Sequence, residues 1–256
     1  MRKSPAGTAA MRSKVDNAFY DELGPRWFAD RSHAIALLVA EAPVKIDYVR
    51  SVIGSSPQRI VDIGCGAGLV TVPLAADGHD LVGVDRSEPS LAVARDHAER
   101  GGVRAVFRAQ DAVALAEADE TFDVALLLDV LEHVEDPAAV VQEAVRVVKP
   151  GGSIVFHTFT RNPLAYLVAV LGPRIVTRDC PRHLHAYSQF IRPRELRAAF
   201  EAANATVTTV QGVRPSFDAA FVQTAWRRRV DPGFSFKRGG PALAGYLGVA
   251  RRSSST

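Results

Sequence analysis

Three glycines alternate with small residues in VDIGCGAGLV, residues 61–70, directly behind an apolar run. Glycine loses more conformational freedom on folding than any other residue, so this density of glycine indicates a backbone path that side chains would obstruct. A turn of this kind between a strand and a helix lets the main chain pass close to a bound ligand. The stretch therefore predicts a buried strand, a ligand-binding turn and a helix, in that order.

The spacing of these glycines separates the turn from two common nucleotide-binding loops. A phosphate-binding loop needs Lys followed by Ser or Thr after its last glycine, whereas Leu69 and Val70 follow Gly68. The dinucleotide fingerprint is G-x-G-x-x-G, whereas Gly64, Gly66 and Gly68 follow the pattern G-x-G-x-G. A dinucleotide-binding fold with a degenerate fingerprint stays open as an alternative.

Strand and helix signals alternate after residue 58. This alternation is typical of a doubly wound α/β fold, in which a mainly parallel sheet binds ligands at the carboxyl ends of its strands. After Thr160 the alternation stops, and the last strand is expected to pair antiparallel at the sheet edge. We predict seven strands, at 59–64, 80–85, 104–111, 122–129, 153–159, 205–213 and 242–250, and helices at 69–78, 89–102, 136–152 and 194–204.

The bulk composition indicates one globular domain in a reducing compartment. The chain has 256 residues, 47% of them hydrophobic and 23% charged, with a formal net charge of +3. Cys65 and Cys180 are isolated, so no disulfide framework is expected. No secretory signal or spanning segment is evident, so a cytoplasmic location is predicted, with no nucleic-acid partner. We predict a flexible lead at 1–15, one domain at 16–250 with a helical cap at 16–56 (broken at Gly24–Pro25 and at Pro43) and an insertion at 161–193, and a disordered tail at 251–256.

The glycine turn and the acids around it resemble the S-adenosylmethionine loop of class I methyltransferases, whose fold is Rossmann-like. Asp62 precedes the glycines, and Asp85 ends the next strand, where the family's acid binds both ribose hydroxyls. The resemblance implies an adenine contact at Asp111 and Ala112. The predicted cofactor-binding residues are Lys45, Asp62, Gly64, Cys65, Gly66, Gly68, Asp85, Arg86, Asp111, Ala112 and Leu128.

Four further segments are similar to the ubiquinone-biosynthesis O-methyltransferases, which methylate a catechol-type hydroxyl on a polyprenylated ring. The similarity runs from about Asp16 to Asn204. In that family an arginine in an NPLR-like stretch helps to bind the cofactor, and Lys45 in APVK occupies the matching position. Lysine keeps the charge but lacks the bidentate fork of arginine. The segments are NAFYDELGPRWF, LLLDVLEHVEDP, VKPGGSIVFHTFTRNPLAYLVAV and RHLHAYSQFIRPREL.

Methyl transfer to a phenolic oxygen requires removal of its proton, by a general base or with the help of a divalent cation. Asp129, Glu132 and His133 are spaced i, i+3 and i+4, so a helical turn would place them on one face. The resemblance implies that these three residues hold a cation such as Mg²⁺, with Asp129 where the family often has glutamate. Action of His133 as a base without metal, and a purely structural role, stay open.

The insertion is expected to cover the substrate. Its apolar run, with arginines at its margins, fits either a lid or a contact of residues 161–178 with a membrane surface. The predicted substrate-contacting residues are His157, Tyr166, His183 and His185.

Together these features predict an S-adenosylmethionine-dependent O-methyltransferase. Its acceptor is expected to be a catechol- or quinol-like aromatic small molecule, with or without a prenyl chain. The alternatives are a natural-product acceptor with a quinone-like or heteroaromatic ring, methylation of carbon, nitrogen or nucleic acid, and a non-catalytic binding protein. LDVLEHV stands where adenine and glutamine N-methylases carry an Asn/Asp-Pro-Pro motif, which disfavours N-methylation of that kind.

Overall fold

A twisted sheet forms the centre of the computed structural model, which describes residues 18–24, 26–181 and 185–254. Within that part of the chain the sheet has eight strands, in the order β3-β2-β1-β4-β5-β8-β6-β7. The predicted flexible lead lies outside the described residues. The strands are β1 (Arg59–Ile63), β2 (Asp80–Asp85), β3 (Val106–Ala109), β4 (Phe122–Leu128), β5 (Val148–Phe159), β6 (Ala205–Pro215), β7 (Phe236–Arg238) and β8 (Gly245–Arg252).

Helices cover both faces of this sheet. Successive residues of β4 point to opposite faces, as the pleat requires: Leu126 packs in one core with helix residue Val49, and Leu127 packs in the other with Val140. The helices are α1 (Ala18–Leu23), α2 (Arg26–Ala29), α3 (Ile35–Ile53), α4 (Thr71–Ala76), α5 (Glu88–Arg100), α6 (Pro137–Val147), α7 (Pro163–Ala165), α8 (Gly172–Val176), α9 (Pro193–Ala202) and α10 (Ala219–Arg227), with a π-helical turn at Tyr166–Leu171 between α7 and α8.

The strand order places a ligand site at one edge of the sheet. Strands β1 to β5 are mutually parallel, and β1 lies between β2 and β4. The order of strands therefore reverses beside β1, and ligands of doubly wound sheets bind in the crevice at such a reversal. Gly64 directly follows β1, and Asp129 directly follows β4.

The sheet corrects the predicted position of the last strand. β8 is antiparallel as expected, but it is not at the edge, because Leu247 pairs with His157 of β5 on one side and with Gln211 of β6 on the other. The edge strand is the three-residue β7, which was not predicted. β8 also continues to Arg252, so two residues of the predicted disordered tail belong to a strand.

Two further boundaries differ from the sequence-based expectation. α3 continues through Pro43, because burial of Ala42, Ile46 and Val49 against the sheet outweighs the one hydrogen bond that proline cannot donate. β5 begins at Val148, five residues earlier than predicted, because Val148 pairs with Phe122 before a register shift whose extra residues lie in β5. Among the described residues, no helix is both long and apolar enough to cross a bilayer.

Candidate functional site

A cavity of about 700 Å³ opens at the carboxyl ends of β1, β2 and β4. We call it the cofactor cavity, because it lies at the reversal of strand order and is lined by the glycine turn. Arg86 and Asp111 stand at its rim, with Arg86 Nε 4.0 Å from Asp111 Oδ2. The predicted cofactor residues that line the cavity are Gly64, Gly66, Asp85, Arg86, Asp111 and Ala112.

The glycine turn is a cradle that side chains would fill. Gly64 has φ +79° and Gly66 has φ +51°, a region that L residues rarely adopt. A Cβ atom on Gly64 would lie 2.7 Å from the Val130 side chain, and one on Gly66 would lie 3.0 Å from the Trp27 ring. Backbone atoms at these two positions can therefore approach a ligand directly, as the spacing of the glycines predicted.

Asp85 is held in place by the same turn. Its Oδ2 accepts a hydrogen bond from the Gly66 amide at 2.9 Å, and its Oδ1 accepts one from the Ser87 amide at 2.9 Å. An ionised carboxylate offers about four acceptor positions, so two stay available for ligand hydroxyls. Burial raises the pKa of Asp85 above its ordinary value.

Four predicted cofactor residues support the cavity without lining it. Asp62 accepts a hydrogen bond from Thr71 Oγ1 at 2.6 Å, which joins the end of β1 to the start of α4. Cys65 is buried in a small core with α5, and burial raises the pKa of its thiol. Gly68 allows close packing of the turn, since a Cβ there would lie 3.1 Å from Val72. Leu128 is buried in the core that contains α3.

A second, smaller cavity of about 280 Å³ adjoins the first, and we call it the acceptor cavity. Tyr20, Asp129 and His133 line both cavities, so the two meet at these side chains. A group carried by a ligand in one cavity can therefore reach a ligand in the other cavity at this junction. Tyr20 was not predicted, although it lies in NAFYDELGPRWF, one of the segments that carried the family resemblance.

Asp129 is fixed at the junction by two hydrogen-bond donors, Lys45 and His157. Its backbone has φ +61°, its carboxylate accepts hydrogen bonds from Lys45 Nζ and His157 Nδ1, and Lys45 Nζ lies 2.7 Å from Glu41 Oε2. Burial opposes the charge, but Lys45 and His157 outweigh it and hold the pKa of Asp129 below its usual range. Asp129 and Glu41 in turn raise the pKa of Lys45 against burial. Lys45 therefore contacts Asp129, and it does not line the cofactor cavity.

The three predicted metal ligands do not form one group. The left-handed backbone of Asp129 takes it out of the turn at Leu131–His133, which is a 3₁₀ turn instead of the expected α-helical one. Glu132, His133 and His185 instead place one ligand atom each within 4.8 Å of one another. Glu132 Oε2 accepts a hydrogen bond from Thr158 Oγ1 at 2.7 Å, while its buried Oε1 has no hydrogen-bond partner among the described residues.

A carboxylate oxygen without a partner, next to two imidazoles, is a donor set that fits a divalent cation. Glu41, Asp129 and His157 form a second group whose ligand atoms lie within 4.8 Å of one another. This second group already holds a cation, because the ammonium of Lys45 contacts both of its carboxylates. Glu132, His133 and His185 are therefore the residues that would hold a metal.

His133 and Tyr20 differ in what they can do with a proton. Burial, together with His185, lowers the pKa of His133 to about 3, so its imidazole is neutral at pH 7. Burial raises the pKa of Tyr20 far above its ordinary value, so its hydroxyl stays protonated. Tyr20 Oη lies 3.4 Å from His133 Nε2. The junction therefore offers a neutral proton acceptor next to a hydroxyl donor.

The predicted substrate residues have four different outcomes. His185 lines the acceptor cavity and donates from Nδ1 to the Ala169 carbonyl at 2.9 Å, so its Nε2 keeps a lone pair. His157 is fully buried and contacts Asp129 instead of lining a cavity. Tyr166 is 39% exposed and lines neither cavity. His183 lies outside the described residues.

The fold and the cradle define an S-adenosylmethionine-dependent methyltransferase. A family profile described as "Methyltransferase domain" matches residues 61–156. The ubiquinone biosynthesis O-methyltransferase of Pseudomonas fluorescens is 38% identical over 205 residues, which cover 78% of this chain and 88% of that protein. The chain therefore belongs to the ubiquinone biosynthesis O-methyltransferase family.

Solved structures support the fold. A methyltransferase from Methanosarcina mazei superimposes with a TM-score of 0.58 at 19% identity, covering 81% of this chain and 98% of that one. Magnesium protoporphyrin IX methyltransferase from Synechocystis, solved with bound S-adenosylhomocysteine, gives a TM-score of 0.62 at 16% identity, covering 93% and 95%. Both confirm the Rossmann-like architecture that the sequence predicted.

We expect Gly64→Ala to weaken S-adenosylmethionine binding by about tenfold or more, because the added methyl group would collide with Val130 and intrude on the cradle. Gly78→Ala is the matched control, since Gly78 has φ +94° but no atom within 4 Å of the place that the added methyl group would take. Isothermal titration calorimetry with S-adenosylmethionine measures both. Equal affinities of the two variants would contradict the role of Gly64 in the cradle.

Proposed function

We propose that this methyltransferase transfers the methyl group to a hydroxyl of a catechol- or quinol-like aromatic small molecule. The observation that carries the proposal is the meeting of a large, polar-lined cofactor cavity with a smaller, mainly apolar cavity at Tyr20, Asp129 and His133. An aromatic ring fits the apolar cavity, and its hydroxyl finds polar partners where the cavities meet, at Tyr20, Asp129 and His133. S-Adenosylmethionine supplies the methyl group from its sulfonium sulfur.

His133 takes the proton of the acceptor hydroxyl in this proposal. A hydroxyl oxygen that is gaining a methyl group becomes strongly acidic, so even an imidazole of low basicity accepts its proton. The neutral state of His133 at pH 7 leaves one ring nitrogen unprotonated. Asp129, fixed by Lys45 and His157, keeps a negative charge beside the imidazolium that forms.

A cation held by Glu132, His133 and His185 is the second version of this chemistry. It is favoured by Oε1 of Glu132, which has no hydrogen-bond partner in the part of the chain that the structure describes, and by the lone pair that His185 keeps on Nε2. Such a cation would make a bound hydroxyl more acidic. In this version His133 is a ligand and not the base.

Turnover of catechol by His133→Ala and His185→Ala, each with Mg²⁺ and with a chelator, separates the versions. If His133 is the base, we expect about a hundredfold loss in His133→Ala and no response of the unmodified protein to the chelator. If a cation acts, the chelator and both substitutions lower turnover. Mass-spectrometric location of the methyl group tests the acceptor atom. Full activity of His133→Ala in both conditions would exclude both versions.

A natural-product acceptor with a quinone-like ring is the second candidate substrate. It is favoured by the part of the acceptor cavity that residues 215–236 form, because this segment lies beyond the similarity to the ubiquinone-biosynthesis family. A prenyl chain on the acceptor, as the family resemblance implies, and a cytoplasmic location stay predictions.

We also propose peripheral membrane contact through residues 161–178. Leu164, Leu167 and Ile175 of this segment are 44%, 55% and 62% exposed, and Arg174 lies beside them. An apolar surface with nearby basic residues favours the interface of an anionic bilayer. We expect Ile175→Ser to reduce flotation with vesicles that contain anionic phospholipid. Equal flotation of this variant and the unmodified protein would contradict the contact.

A further inference from the structure

Besides Phe159, four phenylalanines from a later segment line the acceptor cavity, and these four do not line the cofactor cavity. They come from 217–236, a segment that the family resemblance does not cover. Their rings contact one another in sequence, with centroids 4.9, 6.0 and 5.4 Å apart, within the range of favourable aromatic pairs. We call them the phenylalanine wall: Phe217, Phe221, Phe234 and Phe236.

Polar contacts hold the wall against the rest of the site. Asp218 caps α10 by accepting a hydrogen bond from the Phe221 amide at 3.1 Å. Arg228, at the left-handed end of α10, donates to the carbonyls of Arg174 and Thr177, each at 2.9 Å. These bonds join the wall to α8 of the insertion. The wall is therefore held in place by contacts with the rest of the fold.

The volume of the cavity limits what the wall can enclose. An apolar cavity of about 150 Å³ in another protein binds benzene. The acceptor cavity, at about 280 Å³, is nearly twice that size. It therefore has room for one aromatic ring and either a second fused ring or a compact branched group.

We propose that the phenylalanine wall binds the apolar body of the acceptor and selects a compact one. The acceptor is then an aromatic diol whose ring carries a second fused ring or a short branched substituent. A longer chain leaves the cavity between Leu167 and Phe217, which line it and are 55% and 69% exposed. This inference rests on the proposed function, because it assumes that the ring hydroxyl is at the junction.

Steady-state kinetics with catechol, 4-tert-butylcatechol, 2,3-dihydroxynaphthalene and 4-decylcatechol test the wall. We expect KM to fall by about fourfold for each enclosed methylene, with little change in kcat, and to stop falling once the cavity is full. Decylcatechol should therefore gain no more than tert-butylcatechol. Continued improvement up to decylcatechol would contradict the selection of a compact body.

Phe221→Ala is the decisive variant, because Phe221 is only half-buried and its loss removes a ring from the middle of the wall. We expect it to raise KM for 2,3-dihydroxynaphthalene by about tenfold and to change KM for catechol by less than about twofold. Trp226→Ala is the matched control on α10, since Trp226 is 89% exposed and does not line the cavity. Phe221→Leu, which keeps an apolar side chain, should give an intermediate value.

Binding titrations keep this inference separable from the proposed function. The same two diols are titrated into the protein saturated with S-adenosylhomocysteine, where no turnover is needed. The wall is supported if the naphthalene diol binds more tightly than catechol and if Phe221→Ala removes this difference. This holds even if neither diol is methylated. Absence of methylation counts against the proposed function alone. Equal binding of the two diols, or an equal loss for both in Phe221→Ala, would overturn the inference.

Discussion

We expect Asp129→Asn to lower turnover by about a hundredfold and to reduce the free energy of unfolding by about 3 kcal/mol. Lys45 is 1% exposed, and its ammonium contacts two carboxylates, those of Glu41 and Asp129. Replacing Asp129 by asparagine leaves Lys45 and His157 with one carboxylate neighbour, Glu41, where they had two. Asparagine tolerates the left-handed backbone at this position, so the loss reports charge and not strain.

Urea denaturation followed by circular dichroism measures the stability of this variant, and methyl transfer to catechol measures its turnover. Asp47→Asn is the control, because Asp47 forms an exposed pair with Arg50, and pairs of that kind contribute less than about 1 kcal/mol. Should Asp129→Asn unfold at the same urea concentration as the unmodified protein, the buried group would not depend on this charge. Normal turnover would show that the charge of Asp129 has no role in methyl transfer.

Asp62→Asn is expected to change the free energy of unfolding by about 2 kcal/mol more favourably at pH 8 than at pH 4. Burial is the main cause that raises the pKa of Asp62 to about 6, with Asp85 and Asp129 adding to it and Thr71 opposing it. The folded state therefore binds this proton more tightly than the unfolded state, whose pKa is near 3.9. The stability that the proton contributes is present at low pH and is lost as the pH rises through 6.

The free energy of unfolding, measured from pH 4 to pH 8 for both proteins, checks this sign. The difference between variant and unmodified protein should grow between about pH 4 and pH 6 and then stay constant. Asp80→Asn, at an exposed position, should change stability by less than about 0.5 kcal/mol at any pH. A difference that is independent of pH would show that the Asp62 carboxyl is ionised throughout.

The strand ends that line the cofactor cavity could be predicted from the sequence because the signals there are local. The turn at Gly64 and Gly66 and the acid at Asp85 follow directly from the ends of β1 and β2, and parallel strands bring these ends together. The reaction half was harder to predict. Helical spacing predicts that Asp129, Glu132 and His133 lie on one face. The left-handed φ of Asp129 and the 3₁₀ turn after it separate Asp129 from the other two, and neither feature can be recognised from the sequence.

Contacts between distant segments explain what was missed. Lys45 matches the family's arginine in sequence, yet its partner is decided by the packing of α3 against the carboxyl end of β4. The phenylalanine wall is formed around a strand of only three residues, which is too short to show a period of two. Its rings became recognisable as a surface only once the cavity that they line was defined.

The antiparallel β8 has a consequence for biosynthesis. Its position between β5 and β6 is filled by residues 245–252, which follow both of these strands in the chain. Until these residues leave the ribosome, β5 and β6 each present an unpaired edge of the kind that promotes aggregation. Deletion of residues 245–252 would therefore leave the sheet in two pieces, with the cavity residues present but no continuous core beneath them.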